Sequence, residues 1–229
     1  MNIVILTGAG VSAESGIKTF RAADGLWEDH KVEDVATPEA FVRDPELVYR
    51  FYNQRRQQLC SDAIKPNVAH QALADFAASS KHQLLIVTQN IDNLHERAGS
   101  KNVIHMHGEL LKAKCVSSGK SMVTRDDFDG KDKCQCCNPA QAIRPDIVWF
   151  GEIPYHMDSI ETALLDADLF ISLGTSGNVY PAAGFVALAH QAGVRTVELN
   201  LEPSNVNSQF DEHHYGLASQ IVPEFLATL

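Results

Sequence analysis

Apolar residues are distributed along this chain in two patterns. Runs that are apolar at almost every position span 2–6, 84–87, 146–150, 169–173 and 196–199, and the first runs into Thr7-Gly8-Ala9-Gly10. Between them, 45–59, 68–78, 157–167 and 182–192 carry helical spacing. Strands that are apolar throughout and separated by helices predict a parallel sheet covered on both faces. The expected fold is therefore α/β, a doubly wound Rossmann-like sheet whose ligands sit at the carboxyl ends of its strands.

Residues 109–145 break this pattern. They are polar, carry Gly119, Gly130, Pro139 and four of the five cysteines, and hold little apolar material for a core of their own. We expect a small zinc-ribbon-like module at 109–145, inserted in a Rossmann-like domain made of 1–108 and 146–229.

Length and charge narrow the function classes. At 229 residues, no apolar run approaches the ~18 needed to span a bilayer, and no signal-peptide pattern stands at Met1. The net charge of -10 leaves no basic stripe for a phosphate backbone, so neither nucleic acid nor membrane is an expected partner. Clustered thiols in odd number point to metal binding in a reducing compartment, hence a cytoplasmic protein. Nothing signals oligomerisation, and a monomer is expected.

The cysteine frame is incomplete. Cys115 and the Cys134–Cys137 pair keep the spacing of two C-x2-C knuckles, but Ser118 stands where the second ligand is usual. Cys115, Cys134 and Cys137 are the expected ligands of one structural zinc. Cys136, water or another side chain would complete the site.

The segment 8–16 is a glycine-rich loop between a strand and a helix, which suits a phosphate. Its continuation through Arg21 gives GAGxSxxSGIxxFR without a break, and this resembles the sirtuins, NAD-dependent protein-lysine deacylases. Further blocks agree in order: Thr88-Gln89-Asn90-Ile91-Asp92, His107-Gly108, Gly174-Thr175-Ser176 and Asn200-Leu201-Glu202. The resemblance is nearest to the bacterial CobB-type members.

That resemblance implies transfer of the acyl group from acyl-lysine to ADP-ribose, releasing nicotinamide and O-acyl-ADP-ribose. It makes His107 the base, with Asn90 and Asp92 holding the nicotinamide end, Gln89 contacting the ribose and Ile91 also on the cofactor. Gly8, Ala9, Gly10, Ser12, Ala13, Phe20, Arg21 and Trp27 would line the phosphate and nicotinamide-ribose side. Gly174, Thr175, Ser176, Asn200, Leu201, Glu202 and Ala218 would face the adenosine. Alternation on an extended segment puts His105 and His107 on one side, so spacing does not choose between them. Asp92 would equally suit a helix cap.

Tyr52 and Arg55, three apart on a helix, share a face. By resemblance to class III sirtuins, this pair reads acidic acyl groups such as succinyl, with Ala23 leaving room for the longer chain. The competing reading makes Tyr52 a core residue and Arg55-Arg56 a solvated patch. Val148 and Phe150 would line the channel for acylated-lysine protein substrates. Two other readings use the same NAD site: a protein ADP-ribosyltransferase and a non-catalytic NAD-sensing module.

Overall fold

The computed structural model describes residues 1–18, 26–27 and 30–229. In chain order the strands are β1 (Asn2–Thr7), β2 (Leu26–Trp27), β3 (His30–Lys31), β4 (Gln83–Thr88), β5 (Val103–His105) and β6 (Gly108–Cys115). They continue as β7 (Ser121–Val123), β8 (Ile143–Ile147), β9 (Leu169–Leu173), β10 (Arg195–Asn200) and β11 (Glu212–Tyr215). The helices are α1 (Gly10–Ala13), α2 (Val32–Val35), α3 (Pro38–Arg43), α4 (Pro45–Cys60) and α5 (Val68–Ser79). After these come α6 (Leu94–Ala98), α7 (Met157–Leu165), α8 (Phe185–Gln191) and α9 (Ala218–Leu226).

Six strands form a parallel sheet in the order β11-β10-β9-β1-β4-β5. Alternation in β1 explains why it is apolar at every position. Ile3 and Ile5 pack with Leu73 of α5 and Val222 and Phe225 of α9, while Val4 and Leu6 pack with Ile160 of α7 and Phe185 of α8. Each strand must therefore supply apolar side chains to two faces.

A second sheet is antiparallel, in the order β7-β6-β8. The apolar run expected as a sheet strand at 146–150 belongs here: β8 covers 143–147, pairs with β6, and lies outside the parallel sheet. It is apolar because Ile147 and Trp149 pack against Val48, Phe51 and Tyr52 of α4. The expected boundaries 109 and 145 fall within β6 and β8. Around the cysteines, Ala113, Phe128 and Ile143 are buried together with Tyr49 of α4, a small core shared with a helix outside 109–145. Among the described residues no helix is long and apolar enough to cross a membrane.

Candidate active site

A cavity of about 660 Å³ opens at the carboxyl ends of the parallel strands and runs to the antiparallel sheet. Its first wall is the loop after β1. A Cβ at Gly8 would meet the carbonyl oxygen of Gly174 at 2.7 Å, and one at Gly10 would meet the same atom at 2.7 Å. Gly8 N and Gly10 N are spent on the carbonyls of Leu173 and Gly174, at 2.9 and 2.8 Å. These glycines therefore serve the contact between two loops rather than supplying donors to a ligand. Ala9, Ser12 and Ala13 line the cavity beside them. Phe20 and Arg21, expected on this side, and Ala23, expected beside the acyl chain, lie outside the described residues. Trp27 also lines the cavity, its ring edge-on to Phe51 at 5.1 Å.

The loop after β4 supplies the polar floor. Asn90 is buried and its Nδ2 donates to Gly8 O at 3.1 Å and Ser12 Oγ at 3.2 Å. Asn90 Oδ1 has no protein partner among the described residues and is left for a donor from a ligand. Asp92 is buried too. It accepts from Ser12 Oγ at 3.0 Å and from Leu94 N at 3.0 Å, so it holds the start of α6 and the glycine loop at once. Burial pushes its carboxyl upward, against those two hydrogen bonds. Gln89 Nε2 donates to Thr175 Oγ1 at 3.1 Å, and Ile91 completes this wall.

The two histidines separate clearly. His105 contacts the Asn90 carbonyl at 3.1 Å and Glu96 Oε1 at 2.7 Å, and it is not among the cavity-lining residues. Burial opposes its protonation, but the Glu96 hydrogen bond and charge outweigh that and raise its pKa. His107 lines the cavity, with Nδ1 3.1 Å from Gln89 O. A carbonyl only accepts, so Nδ1 carries the hydrogen and Nε2 presents its lone pair. Burial lowers the His107 pKa, with the Gln89 hydrogen bond opposing.

At the other end, Gly174, Thr175 and Ser176 follow β9, and Asn200, Leu201 and Glu202 follow β10; all line the cavity, as does Ala218 at the start of α9. Asn200 Nδ2 ties the two loops by donating to Thr175 O at 2.9 Å. Sequence reasoning missed Glu14, which lines the cavity and accepts from Ser219 N at 2.9 Å and Ser219 Oγ at 2.6 Å. Its place inside the glycine motif was the available signal. Asn178, Ser204 and Asn205 also line this end and carried no motif.

Tyr52, Arg55, Val148 and Phe150 line the remaining wall. Tyr52 is fully buried and its hydroxyl accepts from Trp149 Nε1 at 2.9 Å. Arg55 lies over the Phe51 ring at 4.0 Å and donates to Phe51 O at 3.0 Å. Arg56 is not solvated: it is fully buried, donating to Leu110 O at 3.1 Å and to Asn53 Oδ1 at 2.6 Å.

Outside the cavity, the sulfurs of Cys115, Cys134, Cys136 and Cys137 all lie within 4.8 Å of one another. Cys137 Sγ is 3.7 Å from that of Cys115 and 3.8 Å from that of Cys136. A tetrahedral ion with Zn–S bonds near 2.3 Å sets sulfurs about 3.8 Å apart, so the four thiols fit zinc. Backbone N–H groups of Ser118 and Gln141 point at Cys115 and Cys134 sulfurs, 3.4 and 3.2 Å away, as suits thiolates. Ser118 Oγ touches Cys136 Sγ at 3.1 Å, so the cysteine rather than the serine joins the sulfur cluster.

Residues 8–181 match the Sir2 family. The chain belongs to that family. It is similar to an NAD-dependent protein deacylase of Pasteurella multocida, 65% identical over 99% of this chain and 97% of the relative. It is also similar to a Sir2 homologue solved in complex with NAD, at 38% identity and a TM-score of 0.87 over 99% of this chain and 88% of that one. A mutant Sir2 homologue in complex with 2′-O-acetyl ADP ribose superposes equally well, with a TM-score of 0.87 and 38% identity over 99% of this chain and 90% of that one.

Proposed function

We propose that this Sir2-family chain is an NAD-dependent protein-lysine deacylase that removes both acetyl and acidic acyl groups such as succinyl. The observation that carries the reading is the His107 geometry: an imidazole oriented through Nδ1 by the Gln89 carbonyl, its Nε2 without a partner among the described residues, in the cavity that Asn90 and Asp92 also line. In this reading the acyl-lysine carbonyl displaces nicotinamide from NAD, and His107 Nε2 takes the proton of the ribose hydroxyl that then receives the acyl group. Asn90 Oδ1 and Asp92 hold the nicotinamide end; the loops at 174–176 and 200–202 hold the adenosine end. A decayed NAD-sensing module or a pure ADP-ribosyltransferase has no need for that base.

The acidic-acyl reading rests on Tyr52 and Arg55 sharing the cavity wall, a phenol and a guanidinium suited to a carboxylate that acetyl lacks. The cysteine cluster would hold one structural zinc through Cys115, Cys134, Cys136 and Cys137. When bound, that ion supplies cross-links between β6 and the loop before β8, remote from the reacting groups. A monomeric, cytoplasmic protein acting on acylated proteins completes the reading.

The test is mass spectrometry of matched acetyl-lysine and succinyl-lysine peptides, with and without NAD, for the parent chain, His107→Tyr and Arg55→Met. NAD-dependent loss of both groups, absent in His107→Tyr, with the succinyl-to-acetyl ratio falling at least tenfold in Arg55→Met, is the expected result. No loss of either group from the parent overturns the deacylase reading, and an unchanged ratio in Arg55→Met overturns the acidic-acyl assignment.

A further inference from the structure

Trp149 and Tyr52 form a hydrogen bond in the cavity wall that the proposed chemistry has not yet used. Trp149 Nε1 donates to the Tyr52 hydroxyl oxygen at 2.9 Å, linking residues 97 positions apart on β8's exit and α4. Both side chains are buried and both line the cavity. An indole N–H only donates, so the Tyr52 oxygen is the acceptor here and its own hydrogen must be directed elsewhere. Among the described residues that hydrogen has no acceptor. An unspent buried donor is costly, and the cavity is where an acceptor can arrive.

The indole is itself held firmly. The Arg144 guanidinium lies 3.8 Å from its ring and donates to Glu152 Oε2 at 2.6 Å and Ile147 O at 3.1 Å. Glu152 Oε2 also accepts from Trp149 N at 2.9 Å, so backbone and ring of Trp149 are fixed by the same ion pair. Phe41 packs against the ring at 5.3 Å.

We propose that Trp149 is a positioning residue for acyl selection: its N–H occupies the acceptor side of the Tyr52 hydroxyl and thereby commits that hydroxyl to donating to an anionic acyl chain, beside Arg55. An uncharged acetyl group gains little from such a donor. The inference rests on the acidic-acyl reading and adds to it a residue that never touches the carboxylate.

Trp149→Phe keeps an aromatic ring and deletes the donor. The expected result is a fall of about fivefold in the succinyl-to-acetyl ratio of kcat/KM, the size of one neutral hydrogen bond. Because Trp149 acts through Tyr52, the same substitution made in a Tyr52→Phe background leaves the ratio where Tyr52→Phe alone has set it. Incorporating 3-benzothienylalanine at position 149, which replaces the indole N–H by sulfur at constant shape, gives the same fall and serves if the phenylalanine variant does not fold. An unchanged ratio in the single variants, or a further fall in the double variant, overturns the inference alone. A parent chain that removes no succinyl group overturns the acidic-acyl reading and this inference with it.

Discussion

Ser12 Oγ donates to Asp92 Oδ2 at 3.0 Å, across 80 positions of sequence, and so locks the glycine loop to the loop after β4. The same hydroxyl accepts from Asn90 Nδ2, making one serine the junction of the cavity floor. Asp92 therefore ties the glycine loop to the start of α6, and its protonation reports on that lock.

Burial raises the Asp92 pKa above its ordinary value of 3.8, although Leu94 N–H and Ser12 oppose the rise. The folded chain favours the protonated acid more than the unfolded chain does. Its contribution to stability is thus fully present below 3.8 and is lost as pH rises through the higher folded value. Asp92→Asn stays neutral at every pH, so the stability of the variant relative to the parent is expected to grow as pH rises from 4 while deacylation falls. Thermal melts across that range check this, and parallel pH curves would refute it.

His107 gives a second pH signature. Burial lowers its pKa, which favours the neutral form that the proposed role of base requires. The acid limb of kcat/KM is expected to lie below pH 6.5, and a limb centred above 7 would assign the titration to another group. His105→Asn, which removes the imidazole that contacts the Asn90 carbonyl, is expected to lower activity several-fold without shifting that limb.

Beneath the floor, His70 and His95 lie with ring centroids 4.9 Å apart, and burial lowers them to about 4 and about 3. Lowered imidazoles contribute stability that is fully present above the unfolded value of 6.5 and is lost as pH falls toward the folded ones. For His70 alone the span is worth on the order of 3 kcal/mol. His70→Gln keeps a side chain suited to the capping box with Asn67 at the start of α5 and removes the titration. Urea unfolding between pH 6.5 and 4 is expected to lose about one proton's worth of slope in the variant; an unchanged slope would exclude His70 as the source.

The cysteine cluster predicts one zinc per chain by elemental analysis. Stripping it with a chelator should lower the melting temperature, since among the described residues the core around it is small, six buried side chains with Phe41, Met122 and Cys137 packed on them. Cys136→Ser should release the metal faster than the parent. Equal release rates would mean that Cys136 Sγ, for all its proximity, is not a ligand.

The parts of the fold that were legible share one property. β1, β4, β9 and β10 are interior strands covered on two faces, so burial writes itself into every residue. β5 and β11 are the sheet's edges, and Glu212-His213-His214-Tyr215 in β11 is half exposed and polar, so no periodic apolar signal marked it. The run at 146–150 was legible as buried but not as antiparallel, because the sheet to which a strand belongs is decided by partners distant in sequence. The cavity residues were found through motifs; Glu14 and Trp149 lay inside such segments, but their hydrogen bonds to Ser219 and Tyr52 became visible only in three dimensions, as did the place of Asn178. Cys136 was left open by spacing, since adjacent cysteines rarely aim at one point; here they do.

The contact of Gly8 and Gly10 with Gly174 limits how this pocket can be redesigned. A clash between side chains can be relieved by trimming one partner, but here the obstacle to any added carbon is main chain, which no substitution can shorten. Positions 8, 10 and 174 are consequently constrained to glycine as one unit, and changes in ligand preference have to be sought at neighbours such as Ala9, Ala13 and Thr175, which line the cavity with side chains of their own.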